Sequence, residues 1–236
     1  MNLTQAIFSK SVFFFTLIPI FAVWGFWVTY FTRPPETLGP LEHIHGLAMF
    51  GWCIMLIAQS LLIRTRRRDL HRLFGKFSYV LAPLIVISTV SLANYRLNLR
   101  GLTDEGLYSL YLQLSILVQF MVCYGLAVWN LKRPEVHARF MVCTALTMLD
   151  PIFARILLVN FFQVELTSGI AQYMTYTLVD LILVGLVVWD WKSHQRKDVF
   201  LPILIVFVVS QLPTFFVVQW PAWKTFSSWY LFLPLS

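Results

Sequence analysis

The sequence predicts an all-α polytopic membrane protein, a bundle of seven transmembrane helices with a cytoplasmic N-terminus. Two observations predict the fold class. First, 58% of the 236 residues are hydrophobic and only 12% are charged, which is too little charge for a soluble domain of this size. Second, the chain holds seven apolar runs, and each is long enough to cross a bilayer as a helix, which takes about 20 residues.

The seven runs are joined by short loops, so we expect one transmembrane domain over residues 1–236. No small-residue cleavage site follows the first run, which indicates a retained helix rather than a signal peptide. The aromatic tail after the last run is predicted to lie at the membrane interface. The runs cover about 11–31, 43–63, 74–94, 107–129, 139–161, 169–190 and 199–219.

The distribution of Lys and Arg predicts the orientation of the bundle. Most of the 18 basic residues fall in three loops on one side, at 64–76, 130–139 and 191–198. Basic loops mark the cytoplasmic side of a membrane protein and attract anionic lipid headgroups. We therefore expect a multi-pass protein of a bacterial inner membrane. Because topology accounts for the positive charge, nucleic acid is not an expected partner.

Several kinds of site have no candidate in the sequence. Cys53, Cys123 and Cys143 all lie in apolar runs without paired spacing, which is typical of packing residues. The chain has no Gly-rich phosphate loop, no paired-histidine zinc motif and no nucleophile elbow. The remaining clue is the set of polar residues inside the spans, because such residues are costly in a membrane and mark functional sites.

Helical spacing separates the two histidines of "LEHIHGL". His45 begins a stripe that continues through Trp52 to Gln59, whereas His43 begins a purely apolar stripe. Residues two apart on a helix point roughly 200° apart. His45 is thus predicted to face the bundle, and His43 to face lipid or headgroups.

The same spacing predicts a polar cavity in the outer half of the bundle. Asp150, Arg155 and Asp180 are its candidate catalytic or proton-relay residues. A structural pair between Asp150 and Arg155 is the alternative, with the helix kinked by Pro151. The other members of the outer region, including the predicted lining of a substrate cavity, are Glu42, His45, Asn94, Arg96, Tyr108, Tyr111, Gln172 and Tyr176.

Histidines also suggest a cofactor, either haem b or a transition metal, although a protein without a cofactor is the alternative. His71 and His137 are candidates for the two axial ligands of one haem, and His45 is a third cofactor-binding candidate. The alternative is that His71 and His137 bind lipid phosphate, together with Arg68, Arg72 and Arg139. A metal site formed by His45, Glu42 and Asp150 has suitable ligand types, but no spacing favours it.

Two segments carry a resemblance to an uncharacterised bacterial family of multi-pass membrane proteins. They are "AQSLLIRTRRRDLHRLFGKFSYVLAPLIVISTVSLA" and "HARFMVCTALTMLDPIFARILL". The resemblance implies a shared bundle and no particular activity. The matching positions are Gln59, His71, Arg72, Gly75, His137, Arg139, Met141 and Arg155.

A weaker resemblance, through "HGLAMFGWCIML", is to the two-haem transmembrane cytochromes b. It implies an inner haem between His71 and His137. The fourth span has no histidine that would partner His45 on an outer haem.

Three functions follow as hypotheses. The first is a haem- or metal-binding protein with a redox role, such as a membrane-bound oxidoreductase. The second is a binding protein or proton-coupled transporter for a small molecule, for example a hydrophobic or quinone-like one. The third is a structural or assembly partner of a membrane complex, in which the polar residues serve helix packing alone.

Overall fold

The computed structural model describes residues 3–161, 169–194 and 198–235, and in these ranges the regular structure is helical, without strands. Two short π-helical segments, Trp27–Phe31 and Arg155–Phe161, follow α1 and α7. The α-helices are α1 (Leu3–Gly25), α2 (Pro40–Arg64), α3 (Arg68–Gly75), α4 (Ser78–Arg100), α5 (Asp104–Trp129), α6 (Pro134–Leu146), α7 (Leu149–Ala154), α8 (Gly169–His194), α9 (Phe200–Gln211) and α10 (Pro221–Leu231).

Six helical segments in these ranges are long and apolar enough to cross a membrane. They confirm the helical, multi-pass class, and they correspond to the first six predicted runs. The seventh run contains a helix of only 12 residues, α9, followed by 3₁₀ turns at Leu212–Phe215 and Val217–Gln219. Pro213 has no amide hydrogen with which to continue the α-helical ladder, and the chain carries on as a 3₁₀ turn after Gln211. A seventh crossing stays a prediction.

The fifth predicted span is broken into two helices. Pro151 has no amide hydrogen to donate to the carbonyl of Thr147, so the hydrogen-bond ladder opens four residues before the proline. Accordingly α6 ends at Leu146 and α7 begins at Leu149. The α-helix is thus interrupted near Pro151, and the interruption separates the wholly buried Arg139 on α6 from Arg155, which follows α7.

The helices pack as sequential neighbours around a tightly filled centre. α1 lies against α2, α2 against α4, α4 against α5, and α5 against α6, while α8 packs on α9. Trp52 at the centre is fully buried, contacts the rings of Phe120 and Tyr124 edge-on, and donates from Nε1 to Thr144 Oγ1 at 3.3 Å. Outward-facing side chains are large and apolar, as expected of a surface in contact with lipid.

The two ends of the bundle differ in charge. One end, called the basic end below, holds the start of α1, the end of α2, all of α3 and the α5–α6 loop. The amide of Leu3 donates to Ser193 Oγ at 3.3 Å there, which joins the start of α1 to the end of α8. Arg196 and Lys197 of the third basic loop lie outside the described residues.

The aromatic tail docks on the opposite end of the bundle. α10 packs on α4 and α5. Tyr230 donates from its hydroxyl to the carbonyl of Val90 at 2.7 Å, and its own carbonyl accepts from Asn94 Nδ2 at 2.6 Å. Asn94, which was predicted to belong to the outer polar cavity, is therefore used to anchor the tail.

Candidate functional site

Arg155 lies inside the bundle with part of its hydrogen-bonding capacity unused. Nη1 donates to the carbonyl of Pro151 at 3.0 Å, and the guanidinium carbon lies 4.1 Å from the centre of the Phe26 ring. Nε is buried and has no partner among the described residues. None of the ion pairs within 4 Å formed by these residues includes Arg155. Among the described residues, the guanidinium contacts one carbonyl oxygen and the face of one aromatic ring.

Gly25 allows α1 to approach Arg155 closely. A Cβ atom at this position would lie 2.9 Å from the carbonyl oxygen of Ile152 and 3.6 Å from Cβ of Arg155. Only glycine fits this contact without a shift, and the next residue, Phe26, is thereby placed over the guanidinium. The π-helical segments after α1 and α7 lie on either side of this contact, and π-helical turns are frequent at functional sites.

Asp150 is buried beside Arg155 but is held by α8. Its Oδ1 accepts from Gln172 Nε2 at 2.9 Å and from Thr175 Oγ1 at 2.6 Å. Asp150 and Arg155 are five residues apart, which places them on different faces of a helix. They interact electrostatically, but the described contacts include no direct ion pair between them.

Three further helices, α2, α4 and α5, bring polar groups toward this pair. His45 of α2 faces inward as predicted, with Nδ1 at 3.3 Å from Ser88 Oγ and 3.4 Å from Thr89 Oγ1 of α4. The charges of Arg96 and Arg155 both act on His45, and that of Asp150 acts on Tyr108. The hydroxyl of Tyr108 is buried and has no partner in the described chain. We call His45, Arg96, Tyr108, Asp150 and Arg155 the Arg155 cluster.

The structure uses three other predicted site residues to hold α9 and the turn that follows it. Tyr111 donates to the carbonyl of Ser210 at 2.7 Å, and the hydroxyls of Tyr176 and Thr214 lie 3.0 Å apart. Asp180 accepts from Gln211 Nε2 at 3.1 Å. These side chains thus join α5 and α8 to α9, and none of them forms a described hydrogen bond with a member of the Arg155 cluster.

The proposed metal ligands do not converge. Oε2 of Glu42 accepts from the Gly39 amide at 2.8 Å and caps the start of α2, and Oε1 lies 3.9 Å from Arg96. His45 points to the hydroxyls of α4, and Asp150 to α8. The residues that the structure describes contain no group of three or more His, Cys, Asp or Glu side chains that could hold a metal ion.

His43 has a partner that its stripe does not predict, although the stripe itself faces outward as expected, with Leu47, Phe50 and Ile54 exposed. Its Nδ1 lies 2.6 Å from the hydroxyl of Tyr30, and the two rings meet edge-on with centres 5.6 Å apart. The π-helical turn after α1 returns Tyr30 toward α2, a contact between two spans that the stripe on α2 alone does not reveal.

His71 and His137 lie at the basic end with unlike hydrogen bonds. His137 Nδ1 lies 2.9 Å from the carbonyl of Ala127, an arrangement typical of a metal-ligating histidine. His71 is contacted by the side-chain amide of Gln59. In the orientation that satisfies all of its partners, the amide oxygen accepts from the backbone amide of Gly75 at 2.9 Å, and the amide nitrogen donates to the backbone carbonyl and to Nδ1 of His71. Nδ1 of a neutral His71 is then an acceptor and Nε2 carries the proton, which opposes ligation through Nε2.

The basic end also contains a buried ion pair that the sequence interpretation did not identify. Arg139 is fully buried and donates from Nε and Nη2 to the two oxygens of Asp190 at 2.7 and 2.6 Å. It also donates to Thr4 Oγ1 at 2.9 Å and to the carbonyl of Glu135 at 3.0 Å. Arg139 was expected beside His71 and Arg72 as a site for anions, but these partners occupy it. An acid within an apolar run, as in "LVVWDWKS", was the available signal for Asp190.

The Arg155 cluster is distinct from an apolar cavity of about 330 Å³ between α4 and α5. That cavity is lined by outward-facing side chains such as Ile87 and Met121, and it includes no member of the cluster.

No family model, curated protein or solved structure matches this chain. Its resemblance to an uncharacterised bacterial membrane family stays a prediction, and its function is inferred from its own geometry.

Proposed function

We propose that the protein binds, and carries or presents, a small molecule with an anionic group, and that Arg155 receives that group within the bundle. The observation that supports this most directly is the incomplete set of partners of Arg155. A largely buried cation that forms no direct ion pair among the described residues is costly, and a bound anion lowers that cost.

Neighbouring groups suit an anion in the same way. The Tyr108 hydroxyl is a second buried donor without a partner among the residues described, and buried donors without partners are rare in folded proteins. Arg96 adds a further positive charge, only weakly opposed by Glu42 at 3.9 Å. Asp150 is held on α8 by Gln172 and Thr175, so it acts on Arg155 through space and forms no described direct ion pair with it.

Bilayer-spanning helices surround the cluster, so the ligand is expected to be amphiphilic, with a carboxylate or phosphate head and an apolar body. Hexanoate is a suitable probe, and hexylammonium is its control of equal chain length and opposite charge. We expect the purified protein to be stabilised by hexanoate and not by hexylammonium, with the unfolding temperature rising with ligand concentration.

The matched variants are Arg155→Gln and Arg100→Gln. Arg100 is half-exposed near the same end of the bundle and pairs with Glu105 at 3.1 Å. Arg155→Gln should abolish the hexanoate effect while leaving the ligand-free unfolding temperature unchanged or higher, and Arg100→Gln should keep the effect. Equal loss in both variants, or a large loss of ligand-free stability in Arg155→Gln, contradicts the proposal.

We also propose the finer topology of seven crossings with the N-terminus in the cytoplasm. It is supported by the concentration of Lys and Arg at the basic end and by the apolar character of α9 and its following turn. Cysteine-labelling from either side of the membrane, with single cysteines placed at Lys132 and Lys224, tests it: only the second should react from outside.

A haem between His71 and His137 is a second proposal, supported by the bond from His137 to Ala127 and opposed by the proton that Gln59 leaves on Nε2 of His71. The visible absorption spectrum of freshly purified protein decides it. A Soret band that disappears in both His71→Ala and His137→Ala would establish the haem; its absence in wild type refutes it.

A further inference from the structure

The turn between α2 and α3 presents an unusual concentration of cations. Within residues 64–76 the only carboxylate is Asp69. We call the six cations here the basic turn. They take part in none of the ion pairs within 4 Å that the described residues form. They are Arg64, Arg66, Arg67, Arg68, Arg72 and Lys76.

Arg66 holds a backbone conformation that arginine adopts at a cost. Its φ is +61°, in the left-handed region, where glycine and asparagine are favoured because a Cβ crowds the following carbonyl. The turn needs a residue in this region to reverse the chain between α2 and α3, which are separated by only three residues. Residues strained in this way cluster at functional sites, and Arg66 contributes a cation where glycine would contribute none.

Apolar side chains continue directly from the basic turn. Leu73, Phe74 and Phe77 are each about half exposed or more, and Phe74 and Phe77 have ring centres 6.0 Å apart. A short helix with cations beside exposed leucine and phenylalanine is typical of a segment at the membrane interface. The surface therefore fits a molecule with an anionic head and hydrocarbon chains, rather than a soluble anion.

We propose that the basic turn is a binding site for the phosphate group of an anionic phospholipid, with the acyl chains lying along Phe74 and Phe77. His71 adds a neutral donor, because Gln59 leaves the proton on its Nε2. Arg64 is partly engaged already, with its guanidinium 4.9 Å from the centre of the Phe13 ring, so Arg66, Arg67, Arg68 and Arg72 supply the main attraction. This site is independent of the function proposed for Arg155.

For the test, the purified full chain is placed in nanodiscs that contain phosphatidylglycerol and phosphatidylcholine with identical acyl chains. Native mass spectrometry then measures how much of each lipid the protein retains. We expect wild type to retain phosphatidylglycerol preferentially. Arg66→Gly should lower that preference about fivefold, the effect of one cation near an anionic surface. The same variant should unfold at a higher temperature in phosphatidylcholine, because the glycine relieves the left-handed strain.

The control is Lys132→Gln, which removes an exposed cation from another loop of the same end. It should leave the lipid preference unchanged. A second arm adds glycerol phosphate, which carries the head chemistry without chains, and it should not displace the lipid at equal concentration. An equal fall in Lys132→Gln shows only diffuse attraction and overturns the proposal, as does displacement by glycerol phosphate or an unchanged preference in Arg66→Gly.

Discussion

Two arginines inside the same broken span differ in their surroundings. Arg139 uses four donor contacts on Asp190, Thr4 and the Glu135 carbonyl, and it joins α6 to α8 and α1. Arg155 has one carbonyl and one aromatic ring, and its Nε has no partner among the described residues. The first is completed by the protein itself, and we propose that a ligand completes the second.

The difference shows how to separate a structural buried charge from a functional one. A buried cation with a bidentate carboxylate has its desolvation offset within the fold, so its removal leaves a stranded partner. A buried cation whose described contacts are a carbonyl and a ring breaks no direct ion pair among the described residues when it is removed. Loss of stability should therefore follow Arg139, and loss of ligand binding should follow Arg155.

The largest effect on stability is expected at Arg139, whose hydrogen bonds are completed by the protein itself. Asp190→Asn keeps the shape of the side chain and removes its charge, so Arg139 becomes a buried charge without a counterion. We expect a loss of about 3–5 kcal/mol in the free energy of unfolding. A thiol-reactive dye can follow thermal unfolding, because Cys53, Cys123 and Cys143 are all buried and free.

The double variant Arg139→Met, Asp190→Leu is the control for that prediction. It removes both charges, and well-packed apolar pairs often replace buried ion pairs without loss. It should unfold at a higher temperature than Asp190→Asn alone. If the double variant is the less stable of the two, the ion pair is not the reason for the loss.

An intermediate effect is expected at Gly25, which sets the distance between α1 and Arg155. In Gly25→Ala the new Cβ would lie 2.9 Å from the Ile152 carbonyl oxygen, so the helices must separate, at about 1–3 kcal/mol. Phe26 then moves off the guanidinium, and hexanoate should bind more weakly. Thermal unfolding with and without hexanoate measures both consequences.

Gly185 provides the matched control for the Gly25 variant. It lies in α8 with open space where a Cβ would be placed. Gly185→Ala should therefore be neutral or slightly stabilising, by up to about 1 kcal/mol, and hexanoate should bind as in wild type. Equal destabilisation by both alanines would mean that close approach at Gly25 is not the cause.

The smallest effect on stability is expected at Tyr108. Its buried hydroxyl has no partner in the described chain, so Tyr108→Phe removes an unsatisfied group and should change the unfolding free energy by less than about 0.5 kcal/mol. Hexanoate affinity should nevertheless fall, because the hydroxyl is a donor to the anion. Calorimetric titration of both proteins checks this, and unchanged affinity would place the ligand away from Tyr108.

The sequence predicted correctly those features that depend on a single helix. The stripe through Trp52 and Gln59 predicted that His45 faces inward, and Pro151 predicted the broken fifth span. Contacts between helices could not be predicted from the sequence. Arg139 and Asp190 are 51 residues apart, and Tyr30 meets His43 only because a π-helical turn redirects the chain.

The sequence by itself determined the class of this protein, because apolar runs of bilayer length and clustered cations leave no soluble alternative. It also determined which polar residues occupy the spans. Only the tertiary structure decided which of them are completed by a partner. Hydrogen-bond and charge satisfaction depend on groups brought together from distant helices; that pairing completes Arg139 with Asp190 and leaves Arg155 Nε without a partner among the described residues.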